Sequence, residues 1–186
     1  NPALTTRGYD MNQNLAPFFD FDNDGIYNPL KGDFPIIKDC SEAFADQMTF
    51  WVINDKGNTH TETSSQPMGV QINALAFAFQ TTDEINNMTF YTYNVVNKSG
   101  SGLNQTYMSQ FVDVELGCYT DDRLGCDTTR SLGVVYNSRL VDPNGCSTGS
   151  LGYGTDIPIL GFDFFEGPID TNGKQLGLTR FNYFNN

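Results

Sequence analysis

Three aspartates at alternate positions, Asp20, Asp22 and Asp24, run directly into Gly25 in the string DFDNDGIYN. Ca²⁺ takes six to eight oxygen ligands, and such loops supply them from alternate residues while a glycine turns the chain back on itself. Ile26 then offers a backbone carbonyl and Asn28 a side-chain or water-mediated oxygen. Position twelve, where an EF-hand places a bidentate Glu, is Lys31, and Pro29 obstructs an exit helix, so the loop is not an EF-hand. Asp33 stands as the closing ligand of a helix-poor, extracellular type of calcium loop. The competing reading is an ordinary acidic turn, because Asp, Asn and Gly are common turn residues.

A second group of carboxylates, Asp113, Glu115, Asp121, Asp122 and Asp127, falls within fifteen positions and is interrupted by Gly117 and Gly125. Gathered carboxylates repel one another unless a cation neutralises them or they point apart. A second metal site and a solvated loop compensated by Arg123 and Arg130 both fit this spacing. Paired carboxylates also serve glycoside hydrolysis, but no feature of the sequence fixes a separation or a pocket for a proton donor.

Other chemistry finds less support. The only histidine, His60, lies in NTHTET with no GxSxG elbow in the chain, and the glycine-rich stretches GCSTGSLGYG and KSGSG lack the lysine of a phosphate loop. Cys40, Cys118, Cys126 and Cys146 show no CxxC spacing, which argues against zinc. They leave disulfides open in an exported chain. Three pairings are possible, among them a short Cys118–Cys126 loop.

The elements that must position these groups read as strands. Thr49–Asn54 is β-branched and aromatic and runs into the turn Asp55-Lys56-Gly57-Asn58, predicting a hairpin with HTET as its return. Val70–Gln80 places Leu75, Phe77 and Phe79 on one face and Ala74, Ala76 and Ala78 on the other. Met88–Asn97 carries bulky groups on both faces, as expected of a central strand. Tyr107–Val112, Ser131–Asn137 and Ile157–Phe165 complete the set. Many short strands punctuated by Gly, Asp and Asn predict an all-β sandwich or jelly roll. The expected organisation is an irregular opening segment over 1–48, with the acidic loop, and one β-sandwich-like domain over 49–186 that continues beyond the fragment.

Composition narrows the partners. With 22 acidic against 10 basic residues and a net charge of −12 over 186 residues, the surface repels nucleic acid. No apolar run approaches the roughly 18–20 residues that span a bilayer, so no membrane insertion by this segment is expected. The start at Asn1-Pro2-Ala3 and the aromatic ending FNYFNN suggest an internal or processed piece.

The strings DFDNDGIYNPLKGDFP, FWVINDKGNTHTET, MGVQINALAFAF, DEINNMTFYTYNVVNKS, YMSQFVDVELG with DDRLGCD, and GFDFFEGP resemble a β-rich region of large exported surface proteins of Bacteroidota that carry a C-terminal type IX secretion sorting domain. The resemblance spans about Asp20 to Pro168, and the sorting domain itself is not in this sequence. It implies an extracellular or cell-surface location and a larger surface assembly, with other surface proteins or glycans as partners. Asp127-Thr128-Thr129 resembles an O-glycosylation site of those bacteria. The expected function is a non-enzymatic structural or adhesive module stabilised by Ca²⁺. The alternative is a carbohydrate-binding or ancillary segment of a larger secreted hydrolase, with Tyr153, Phe164 and Phe165 as candidate sugar-stacking aromatics.

Overall fold

The computed structural model describes residues 16–37, 44–57, 59–146 and 149–183. Every sheet in it is antiparallel, and helix is confined to single 3-10 turns. The all-β class expected from the residue pattern is therefore what the protein has, compatible with a sandwich-like fold. The chain forms two compact units, Asn1–Tyr107 and Met108–Asn186. That boundary falls inside the stretch that the sequence pattern groups as one domain.

The first unit opens with a two-residue ladder, β1 (Phe18–Phe19) against β2 (Phe34–Pro35), closing the acidic loop at its base. Phe19 stacks on Phe34 at 5.1 Å between ring centroids, and Phe18 meets the edge of Tyr27 at 5.2 Å. Phe18, Ile36 and Ile37 are buried. This small aromatic core anchors the loop that would otherwise be held by polar contacts alone.

Its main sheet has the order β3-β4-β5, from β3 (Gln47–Asn54), β4 (Val70–Ala78) and β5 (Thr89–Asn97). The period-two pattern of β4 sets the register. Trp51, Ala74 and Tyr93 form one cross-strand row, and Phe50, Leu75 and Thr92 form the next on the opposite face. Ala74 is wholly buried, and Leu75 nearly so. Phe77 stacks on its cross-strand partner Phe90 at 5.4 Å while Phe79 meets both rings edge-on. Strand β4, not β5, is the central strand. The bulky residues of β5 that suggested burial on both sides instead lie at a sheet edge, with Tyr91 and Tyr93 exposed.

The hairpin after β3 also differs from its sequence reading. HTET does not return as a strand, and the chain rejoins the sheet only at Val70. Asp55 explains the longer connection. Its carboxylate accepts the backbone N–H groups of Met68, of Gly69 at 3.0 Å and of Val70 at 2.9 Å, pinning the end of the connection to its start. Burial works against the charged form of Asp55, yet the three amide donors prevail and its pKa is lowered. Gly69 has φ +79°, and a Cβ there would lie 2.9 Å from the Ser99 backbone, so glycine is required at this corner.

The second unit holds the sheet β6-β7-β8, from β6 (Asp122–Asp127), β7 (Leu132–Asn137) and β8 (Leu160–Asp163). Strand β7 matches the pattern over 131–137, and β8 is the middle of the expected 157–165 segment. Tyr107–Val112 is not a strand. Strand β6 went unrecognised because Asp, Arg and Gly are poor strand formers, and its ladder to β7 overrides that propensity.

Leu75→Ala removes a buried side chain from the central strand and should lower stability by about 2–5 kcal/mol, read from the midpoint of urea unfolding. A loss below about 0.5 kcal/mol would mean that this face is not a packed core.

Candidate metal centres

In the first acidic loop the aspartates divide by role. Asp20 and Asp33 are buried and face inward. Asp20 accepts N–H bonds from Asp24 at 3.2 Å and Gly25 at 2.7 Å, and Asp33 accepts them from Phe21 at 2.9 Å and Asn28 at 2.7 Å. The two carboxylates thus staple the loop shut through four backbone amides. Gly25, at φ +75°, provides the reversal expected from the sequence.

Asp22 and Asp24 point outward, where the ammonium of Lys31 reaches both, at 2.8 and 2.5 Å. Lys31 is brought there by a 3-10 turn, Pro29–Lys31, capped by the Asn28 side chain, which accepts the Leu30 N–H at 3.1 Å. Proline at the first helical position costs no hydrogen bond. The ion pairs with Asp22 and Asp24 raise the Lys31 pKa, and Lys31, with the Ile26 N–H, lowers that of Asp24. Carboxylate oxygens of Asp20, Asp22 and Asp24 lie within 4.8 Å of one another, as a shared cation requires. Any divalent ion bridging Asp22 and Asp24 must displace Lys31. Ile26 is exposed, and its N–H donates to Asp24 Oδ1 at 2.8 Å.

The second cluster disperses. Asp113 and Glu115 are exposed. Asp127 closes the turn after β6, accepting Thr129 N–H and Oγ1–H and the Arg130 guanidinium at 3.0, 2.6 and 2.7 Å. Those donors, Thr129 first and Arg130 next, lower its pKa to about 2. Asp121 and Asp122 stay together. They gain a partner that the sequence reading lacked, Asp142.

A 3-10 turn, Tyr119–Asp121, carries Asp121 inward until the residue is 1% exposed. Asp142 is equally buried, and its carboxylate accepts the N–H groups of Cys118 at 2.9 Å and Tyr153 at 2.7 Å. Carboxylate oxygens of Asp121 and Asp142 and the sulfur of Cys118 fall within 4.8 Å of one another. The backbone of Asp142 exchanges two hydrogen bonds with Gly154, at 2.7 and 3.0 Å. A side chain at Gly117, where φ is +69°, would collide with the Asp142 carboxylate. Cys118 is disulfide-bonded to Cys146 with 5.6 Å between Cα atoms. Among the pairings left open by the sequence, this one replaces the short Cys118–Cys126 loop. Cys126 is a half-buried free cysteine, and Cys40 lies outside the described residues.

Asp122 pairs in register with Asn137 across β6 and β7, and accepts the Leu116 N–H at 2.9 Å through one oxygen. Burial raises its pKa, and the negative charges of Asp121 and Asp142 add to the shift. Among the described residues, four buried side-chain nitrogen or oxygen atoms have no hydrogen-bond partner: both carboxylate oxygens of Asp121, Oδ1 of Asp122 and Oδ1 of Asn137. All four are acceptors. The nearest cation, the exposed Arg139 guanidinium, stands 3.7 Å from Asp121.

Asp142 escaped sequence reading because Val-Asp-Pro-Asn-Gly looks like a turn, and it stands 20 positions after Asp122. No local spacing could have joined them. His60 takes a structural part, its Nε2 lying 2.7 Å from the Asp55 carbonyl oxygen. No family, no curated protein and no solved structure matches the chain. Among the described residues no helix is long and apolar enough to cross a membrane.

Lys31→Gln should tighten Ca²⁺ binding at the first loop, because it removes the competing ammonium from Asp22 and Asp24. Amide chemical shifts of Asp22–Asn28 during a Ca²⁺ titration would show a lower Kd than in the parent chain. An equal or weaker Kd would mean that Lys31 does not guard this loop.

Proposed function

We propose that this chain is a structural or adhesive module of an exported bacterial surface protein, cross-braced by a disulfide and by acidic loops suited to Ca²⁺. The observation that carries the reading is the Cys118–Cys146 bond. Disulfides persist in oxidising compartments and are rare in the cytosol. This one closes a span of 28 positions, a constraint worth roughly 3–4 kcal/mol against the unfolded chain. The sequence resemblance to Bacteroidota surface proteins supports the same compartment. The acidic surface suits an exterior rich in divalent cations, and the bracing suits a module that keeps its shape outside the cell. The candidate ligands Asp20, Asp22 and Asp24 give the first loop a carboxylate set for Ca²⁺, with Lys31 as its competitor, while Asp33 holds the loop through backbone amides.

Peptide mapping of thiol-alkylated protein from its native location tests the compartment. The expected product is a linked Cys118–Cys146 peptide. Recovery of both cysteines as alkylated thiols would overturn export.

A second reading, carbohydrate binding, draws on one feature. Tyr91 and Tyr93 present exposed rings 6.4 Å apart and within 6° of parallel on the edge strand β5. Sugars stack on such aromatic faces through their apolar C–H surfaces. On this reading a glycan array gives signals that Tyr91→Ala/Tyr93→Ala abolishes. A blank array, or signals indifferent to the double substitution, would eliminate it.

A further inference from the structure

We propose that Asp121 and Asp142 form the core of a Ca²⁺ site beside the Cys118–Cys146 disulfide, distinct from the first acidic loop, with Asp122 and Asn137 at its margin. It rests on the reading above only for a compartment that supplies Ca²⁺ at useful concentration. The first observation is geometric. A carboxylate oxygen of Asp121 and one of Asp142 lie within 4.8 Å of each other, on two residues that are each 1% exposed. The second is independent. Both oxygens of Asp121, and one each of Asp122 and Asn137, are buried with no hydrogen donor.

A buried polar atom without a partner costs roughly 1–3 kcal/mol, and a buried charge more, so such atoms point to a water, a proton or an ion. Four unpartnered acceptors with no buried unpartnered donor among the described residues call for something positive. Arg139 is too distant for a hydrogen bond and keeps most of its side chain in solvent. A proton on Asp122 would relieve one charge and leave the oxygens of Asp121 unmatched. A divalent ion held between Asp121 and Asp142 would meet the Asp121 oxygens, with those of Asp122 and Asn137 beside it.

The donor chemistry selects the ion. Carboxylate and amide oxygens suit hard cations. The nearby sulfur of Cys118 is held in the disulfide and is no thiolate, which removes the soft ligand that zinc or copper would use. Asp142 fits the role as well. Its oxygens already accept the N–H groups of Cys118 and Tyr153, which fix the carboxylate while leaving each oxygen a further lone pair. The ion would thus tie the turn at Tyr119–Asp121 to the bridge between Asp142 and Gly154, beside the β6–β7 ladder.

Calorimetry on the full chain tests this, in chelator and then with Ca²⁺, Mg²⁺ or matched NaCl. Ca²⁺ at ten times its Kd should raise the melting temperature by roughly 5 °C, with Mg²⁺ less effective and NaCl without effect. Asp121→Asn should abolish the rise without lowering the melting point in chelator, because it removes a buried charge that accepts no hydrogen bond and has only the exposed Arg139 guanidinium near it. Asn137→Ala should raise the Kd measured by titration calorimetry by about tenfold or more, which serves if the Asp121 variant does not fold. The rise should survive in Asp22→Asn/Asp24→Asn and in Asp113→Asn/Glu115→Gln. A folded parent chain with the same melting point in chelator and in Ca²⁺, or a rise kept by Asp121→Asn and lost with Asp22 and Asp24, would overturn the site. Failure to find the native disulfide would overturn the compartment and leave these in vitro results unchanged.

Discussion

The second unit depends on how it neutralises buried negative charge. Asp121 and Asp142 are each only 1% exposed, and Asp122, itself partly buried, feels both. Like charges in a medium of low dielectric repel far more strongly than in water, and burial alone disfavours each carboxylate. The fold answers only in part. Backbone amides of Cys118, Tyr153 and Leu116 satisfy Asp142 and one oxygen of Asp122, while the carboxylate of Asp121 receives no hydrogen bond. The disulfide, the glycine at 117 and the two-bond bridge from Asp142 to Gly154 hold the charges together despite this repulsion. The proposed Ca²⁺ would turn that cost into a cross-link.

The first unit solves a similar problem with its own residues. Asp20 and Asp33 are matched by four backbone amides, and the outward pair Asp22 and Asp24 by Lys31. The two acidic regions therefore contrast: one carries a resident ammonium, the other has unmatched oxygens. Exposed ion pairs such as those of Lys31 are weak and screened by salt, so a divalent ion can compete for them. The buried cluster has only the largely exposed Arg139 guanidinium, 3.7 Å from Asp121.

What the sequence made legible follows from the range of its signals. Strand β4 announced itself through its period-two pattern, β3 through β-branched and aromatic residues, β7 through the turn residues that bound it, and Gly25 through the reversal that a tight acidic loop needs. The edge position of β5 was not legible, since bulky residues on both faces look the same whether a second sheet neighbour exists or not. Strand β6 hid behind charged and glycine residues that form a strand only because β7 supplies a ladder. The carboxylate cluster was read as a contiguous stretch from Asp113 to Asp127. Folding keeps its centre, exposes Asp113 and Glu115, spends Asp127 on a local turn and imports Asp142 and Asn137 from later in the chain. Spacing along the chain reports local loops well and sites assembled across strands poorly.

The central claim concerns what sits among these oxygens. A crystal structure from Ca²⁺-containing solution, with anomalous diffraction recorded at long wavelength, tests it most directly. The account predicts an anomalous peak about 2.3–2.6 Å from oxygens of Asp121 and Asp142. A pair of carboxyl oxygens sharing a proton at hydrogen-bond distance, with no peak between them, would contradict it.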